Sequence, residues 1–157
     1  MDKLLKLLDS NARLTIDQLA AMLGRSEQEV ADQIAALERS GAIRAYKALI
    51  DWDRTNREYV TAIIELRVTP KRDSGFDSIA HAIMRLEEVE SVYLMSGGYD
   101  LSVVVTGRTF QEVAMFVAKR LSSMDAVLST ATHFVLRRYK DRGVVFLDEP
   151  KDEREQA

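Results

Sequence analysis

Between Val92 and Thr106 the chain reads Val-Tyr-Leu-Met-Ser-Gly-Gly-Tyr-Asp-Leu-Ser-Val-Val-Val-Thr, two alternating runs around a glycine pair. Val92, Leu94 and Ser96 alternate with Tyr93 and Met95; Leu101, Val103 and Val105 alternate with Ser102, Val104 and Thr106. A period of two specifies strands, and a tight connection between strands needs the positive φ that glycine reaches without cost. This stretch therefore commits the chain to a hairpin. Tyr99 and Asp100 stand at its mouth, an aromatic ring and a carboxylate beside bare backbone amides. Such a corner can hold the amino and carboxylate groups of a small zwitterion. The plainer reading is a hairpin with no ligand.

The residues on either side follow two different periods. Residues 2–11 read as a helix with Leu4, Leu5 and Leu8 on one side. Thr15 with Gln18, and Ser26 with Glu29, have the spacing of capping boxes, which predicts helices through Leu23 and to about Ser40. Gly24 is fit for the turn between them, and Val30, Ile34 and Leu37 give the third helix one buried face. Three short helices with a glycine between the last two are the layout of a helix-turn-helix. Small three-helix modules also serve in protein interaction. Ile43 to Ile50 alternates and suggests a β-wing or connecting strand.

Past the polar segment Asp51 to Glu58 the period becomes two. Thr61 to Val68 is a strand, Asp73 to Leu86 a helix, then the hairpin, a helix over Thr109 to Ser122 and a strand over Val127 to Leu136. The order is β-α-β-β-α-β, the ferredoxin-like unit. The fold class is thus α+β. The expected division is a helix-turn-helix domain over 1–50, a linker over 51–58, a ferredoxin-like domain over 59–140 and a tail over 141–157.

In a ferredoxin-like unit both helices cover one face of the sheet. Ile63 and Val104 fall on the opposite parity from their strands' main apolar faces, and the last strand offers Val127, Ala131 and Val135 on one face, with Leu128, Phe134 and Leu136 on the other. Each exposed large apolar side chain forgoes about 1.5–3 kcal/mol of burial. A homodimer packed sheet to sheet is expected.

Composition narrows the chemistry. The chain has no cysteine, which excludes disulfides, thiolate metal sites and cysteine nucleophiles. The start, Met-Asp-Lys-Leu-Leu-Lys, has neither the charge nor the apolar core of a secretory signal, and no run of apolar residues is long enough to span a bilayer. The cytoplasm is the expected location. The net charge of −3 is that of the tail from Asp148 to Ala157; the stretch from Arg137 to Arg142 is +3. Such a balance neither demands nor excludes nucleic acid.

Several local motifs carry a resemblance. Asn11-Ala12-Arg13-Leu14-Thr15 follows the first helix, Leu19-Ala20 lies in the second, and Leu37-Glu38-Arg39-Ser40-Gly41-Ala42-Ile43 closes the third. Tyr46 lies in the segment after it, Ser96-Gly97-Gly98-Tyr99-Asp100 forms the hairpin, and Thr130-Ala131-Thr132 with Val135-Leu136 lies in the last strand. With the element order, these resemble the Lrp/AsnC (feast/famine) family of bacterial and archaeal transcription regulators, from about Leu4 to Tyr139. The resemblance implies a DNA-binding transcription regulator, built of dimers that often gather into octamers. It implies a small-molecule effector, usually an amino acid, bound between dimers near the glycine hairpin.

Carried over by position, the effector-site candidates are Ser96, Gly97, Gly98, Tyr99, Asp100, Thr130 and Thr132. Gly98 stands where the family's hairpin usually has an aspartate. For double-stranded DNA the candidates are Arg13, Arg25, Arg39, Arg44 and Lys47 on phosphates, with Ser26, Gln28 and Gln33 on base edges. The third helix departs from the family: its middle carries Asp32, Gln33, Ala35 and Ala36 rather than basic residues. Residues 1–53 hold seven bases and nine acids, so weak phosphate attraction is expected.

Two other classes stay in view. One is a sensor or protein-interaction module with weak or lost DNA binding, which the acidic third helix motivates. The other is an enzyme, since sirohaem decarboxylases resemble the family in both domains. His81 and His133, the two histidines, are not clustered, and no nucleophile–base pair or phosphate-binding loop is present. No catalytic residue, metal ligand or cofactor is expected.

Overall fold

A computed structural model describes residues 2–70 and 72–147. The chain divides into two compact units, Met1–Ile50 and Asp51–Ala157.

The first unit holds α1 (Asp2–Ser10), α2 (Ile16–Leu23) and α3 (Glu27–Arg39). Leu4, Leu8, Leu19, Ala20, Val30 and Leu37 form its buried core, with Ile34 and Ile43 packed against it. Both helix starts follow the expected chemistry. Gln18 Oε1 accepts from the Thr15 N–H at 3.0 Å, and Glu29 Oε2 accepts from the Ser26 N–H at 3.0 Å. The Ser26 backbone and hydroxyl bonds hold the Glu29 carboxyl below its ordinary pKa. Gly24 ends α2 in the left-handed conformation, φ 64°, where a Cβ would clash with its own backbone rather than with a neighbour. The alternation over Ile43 to Ile50 forms no strand: residues 44–50 carry no ladder pairing. A strand needs a partner edge, and within the described residues this segment meets none.

In the second unit the elements run β1 (Val60–Val68), α4 (Asp77–Met84), β2 (Val89–Leu94), β3 (Leu101–Gly107), α5 (Phe110–Phe116) and β4 (Val127–Phe134). They form an antiparallel sheet of order β2-β3-β1-β4, the ferredoxin-like arrangement. α5 widens into a π-helical turn over Val117–Leu121, which seats Val117 and Leu121 in the core. α4 starts at Asp77 rather than Asp73, because Gly75 adopts φ 53° and interrupts the helical path.

Ala62, Ile64, Leu66 and Val68 of β1 and Leu101, Val103 and Val105 of β3 share one buried face with Ile79, Ile83, Val113, Phe116 and Leu121 of the helices. The opposite face carries Ile63, 39% exposed, and Tyr93, 52% exposed, together with Val104. A register shift opposite Arg67 and Val68 reverses the parity of β4 at its start. Val127 pairs with Val68 and Ala131 with Glu65, so these two lie on opposite faces rather than on the one face that alternation suggests.

Trp52 stacks on Tyr59 with ring centroids 5.4 Å apart, and the Arg57 guanidinium sits 4.7 Å from the Trp52 ring. These contacts tie the polar segment after Asp51 to the second unit. Past β4, Lys140–Asp141 (β5) pairs with Val144–Val145 (β6) in a small hairpin, which straddles the expected start of the tail at residue 141. The acidic end from Asp148 lies outside the described residues.

Tyr59 Oη donates to Glu90 Oε1 at 2.7 Å. Burial first, and then this bond to a carboxylate, push the phenol from 10.0 up to about 12. A raised folded-state pKa contributes stability that is whole below the unfolded value and is lost as pH rises through the folded one. Melting temperature should therefore fall between pH 10 and about 12, and Tyr59→Phe should remove that part of the fall in an alkaline melting series.

Candidate DNA-contacting helix and effector site

In the first unit, the turn from α2 to α3 gathers several of the residues expected to meet DNA. The Arg25 guanidinium donates to Gln33 Oε1, so these two candidates form one pair. The Ser26 hydroxyl donates to Glu29 Oε2 at 2.9 Å and accepts from the Glu29 N–H at 3.3 Å, which engages Ser26 in the helix start. Gln28 Nε2 donates to Asp32 Oδ1 at 3.0 Å. Arg13 sits in the turn after α1, where its N–H donates to Asn11 Oδ1 at 3.0 Å. Arg39 is exposed in the last turn of α3, and Arg44 and Lys47 are exposed beyond it. The outward stripe of α3 runs Gln28, Asp32, Ala35 and Arg39 at helical spacing, opposite Val30, Ile34 and Leu37. The spacing of four between Gln28 and Asp32 is the signal in the sequence for this bond.

The effector-site candidates separate into four groups. Ser96 and Gly97 are exposed at the tip, where Gly97 adopts φ 136°, a conformation open to glycine. Gly98, Tyr99 and Thr130 border a concavity of about 380 Å³, together with Glu65, Arg67, Ser129 and Ala131. Thr132 pairs with Ile64 and belongs to the helix-covered face; Thr130, paired with Leu66, has its Oγ1 3.3 Å from Ser122 Oγ.

Asp100 is tied into the frame. Its Oδ2 accepts from the Val68 N–H at 2.8 Å, its N–H donates to the Leu66 carbonyl at 2.9 Å, and its carbonyl accepts from the Met95 N–H at 2.8 Å. The carboxylate thus caps the backbone where β1 and β4 shift register. Removing it would leave the Val68 N–H without its acceptor, so Asp100 does more than offer charge to a ligand.

Two charged residues of the concavity were not singled out from sequence, Glu65 and Arg67. They stand two apart on β1, on the face away from the helices, with Ala131 and Ser129 as their β4 partners. Side chains of opposite charge at this spacing can take the two ends of a zwitterion, the carboxylate an ammonium and the guanidinium a carboxylate. Tyr99 adds an aromatic wall. His133, paired with Ile63 on the same face, has its Nε2 3.5 Å from Glu65 Oε1. Among the described residues no group of three or more histidine, aspartate or glutamate side chains is placed to hold a metal ion, and no helix is long and apolar enough to cross a membrane.

Comparison with known proteins agrees with both units. Residues 3–44 match a winged helix-turn-helix DNA-binding model, and residues 61–145 match the Lrp/AsnC ligand binding domain. The HTH-type transcriptional regulator YugG of Bacillus subtilis is 48% identical over 97% of this chain and 92% of its own length. The proline dehydrogenase transcriptional activator of Rhodobacter capsulatus is 28% identical over 85% of this chain and 86% of its own. A transcriptional regulator of Neisseria meningitidis, solved as a complex with L-Met, superposes with a TM-score of 0.74 at 25% identity, covering 88% of this chain and 89% of that one. These relatives are regulators and not enzymes. By both models and these likenesses, the chain belongs to the Lrp/AsnC family of DNA-binding transcription regulators.

Proposed function

We propose that this regulator is switched by a free amino acid held in the concavity between β1, β4 and the hairpin. The observation that carries the reading is the pair Glu65 and Arg67, opposite charges on one face beside Tyr99, around about 380 Å³. That volume lies at the small end of ligand sites, as a single amino acid requires. The L-Met bound to the Neisseria meningitidis regulator supports the same class of effector.

Residues 1–50 act as the DNA head, 51–58 as the connector and 59–140 as the effector and assembly domain, in the cytoplasm. Arg13, Arg25, Arg39, Arg44 and Lys47 meet phosphates, and Ser26, Gln28 and Gln33 lie toward the bases. Ser96, Gly97, Gly98, Tyr99 and Thr130 border the effector and Asp100 frames its site, whereas Thr132, on the helix-covered face, stands away from it. A homodimer packs through the sheet face that carries Ile63, Tyr93 and Val104, and dimers gather further, as an octamer at the fullest. The concavity opens at the rim of that face, where a neighbouring dimer can close it over the effector. Differential affinity for two assembly states then changes how the heads are spaced on DNA. Several weak heads acting together offset the acidic third helix through effective concentration.

The test is calorimetric titration with each of the twenty amino acids, followed by DNA-binding anisotropy with and without any that bind. Saturable binding that shifts DNA affinity is expected. No heat from any amino acid would overturn the effector reading.

The dimer has its own test. Ile63→Asp should convert the assembly to monomer in sedimentation equilibrium, with dimer affinity down roughly 100-fold or more, because a two-fold interface meets the change twice. The fold should survive, since Ile63 is 39% exposed in a single chain.

A further inference from the structure

We infer that Gln28 and Asp32 act as one base-reading unit, which selects cytosine in the major groove through the Asp32 carboxylate. In a helix-turn-helix the second helix enters the major groove with its N-terminal residues on the base edges. Here that helix is α3, and the outward residues of its N-terminal half include Gln28 and Asp32, both exposed. Ala35 and Ala36 follow Asp32 and carry only methyl groups, too short to hold the helix off the bases.

The chemistry of the bond between the two residues fixes what they offer. A carboxylate only accepts, so the Gln28 amide must turn its NH₂ toward Asp32, as the 3.0 Å contact from Nε2 has it. Its carbonyl oxygen is left to face the groove. The pair therefore turns two acceptors to the groove, the second carboxylate oxygen of Asp32 and the amide oxygen of Gln28, beside the one remaining N–H of the amide. Exocyclic amino groups satisfy acceptors, and cytosine N4 is the partner that an aspartate takes in the groove. Guanine, with O6 and N7, and thymine, with O4, set acceptor against acceptor. One N–H of the Gln28 amide stays free, so the choice of base rests on the Asp32 carboxylate, which meets an amino group alone at cytosine but the N7 lone pair beside N6 at adenine.

This goes beyond the effector reading and stands apart from it. A carboxylate among phosphates lowers affinity for all DNA, but lowers it least where an amino group meets it. Sequence preference thus gains relative to non-specific binding.

The test is selection of the full-length protein against a pool of randomised double-stranded DNA at low salt, with wild type, Asp32→Asn and Gln28→Ala. The wild type should enrich cytosine roughly tenfold over guanine at one position in each half-site. Asp32→Asn should move that position toward adenine, since an asparagine amide both donates and accepts. Gln28→Ala should blunt the cytosine preference, and the double variant should lose less than the sum of the two. Melting curves verify that the head still folds, as both side chains are exposed. Three results overturn the inference. Selected sequences without cytosine enrichment would do so, and so would Asp32→Asn binding every sequence more tightly with its base preference unchanged, which would make Asp32 a repelling charge alone. In both cases DNA binding itself stands. Recovery of no preferred sequence by any of the proteins would remove sequence reading by this helix altogether, while leaving the amino-acid titration of the effector site to be judged on its own.

Discussion

Ile64→Ala should cost the second unit about 2–5 kcal/mol in urea-induced unfolding. Ile64 is fully buried at the centre of β1, opposite Val103 on one side and Thr132 on the other. It packs in the same cluster as Ile79, Ile83 and Leu121. Truncation removes the burial of three carbon atoms and leaves a cavity that strands pinned on both sides cannot close. Against a typical stability of 5–15 kcal/mol, a loss of that size brings the unit near its threshold. The neighbouring residue gives the contrast. Ile63→Ala on the same strand, facing away from the helices, should change the unfolding of a dilute monomer by well under half as much. Equal losses at the two positions would mean that β1 does not divide the unit into a packed face and an open one.

The second large effect is expected at Arg67. Arg67→Ala should weaken amino-acid binding roughly 10- to 100-fold in calorimetric titration, the worth of a charge-assisted hydrogen-bonded contact. Arg67→Lys should fall between, because an ammonium keeps the charge but cannot present two parallel N–H groups to a carboxylate. Glu65→Gln should act on the other end of the ligand. An amino acid amide, which lacks the carboxylate, should then bind the wild type weakly and be insensitive to Arg67→Ala. If Arg67→Ala leaves affinity unchanged, the ligand does not sit on this face. Asp100→Ala is a poor substitute for this test, since it also strips the acceptor from the Val68 N–H and so mixes stability with affinity.

Much of this fold could be read from residue spacing, because the signals were local. The Ser26–Glu29 pair places a helix start within a single turn, and the alternation Ala62, Ile64, Leu66, Val68 identifies a buried face within one strand. What escaped depended on residues far apart in the chain. The parity of β4 changes at a register shift against β1, and no count along β4 alone can find it. The same shift decides that Thr132 belongs to the helix side while Ala131 joins Glu65. Glu65 and Arg67 take their meaning from the folded sheet, which sets them beside Tyr99 and Gly98. Alternation over Ile43 to Ile50 pointed to a strand, but pattern without a partner edge makes no ladder. Asp32 was legible as a charge and not as a partner, since its meaning lies in the bond to Gln28.

The contact between Asp100 and the Val68 N–H has a consequence for adaptation. With the Asp100 N–H bond to the Leu66 carbonyl, it clamps the hairpin to β1 independently of the groups that border the concavity. Glu65, Arg67 and Tyr99 can accordingly be exchanged one at a time without moving the walls that hold them. A site with a fixed frame and replaceable furnishings can be retuned from one metabolite to another by few substitutions. That makes this unit a suitable starting point for building sensors of new small molecules.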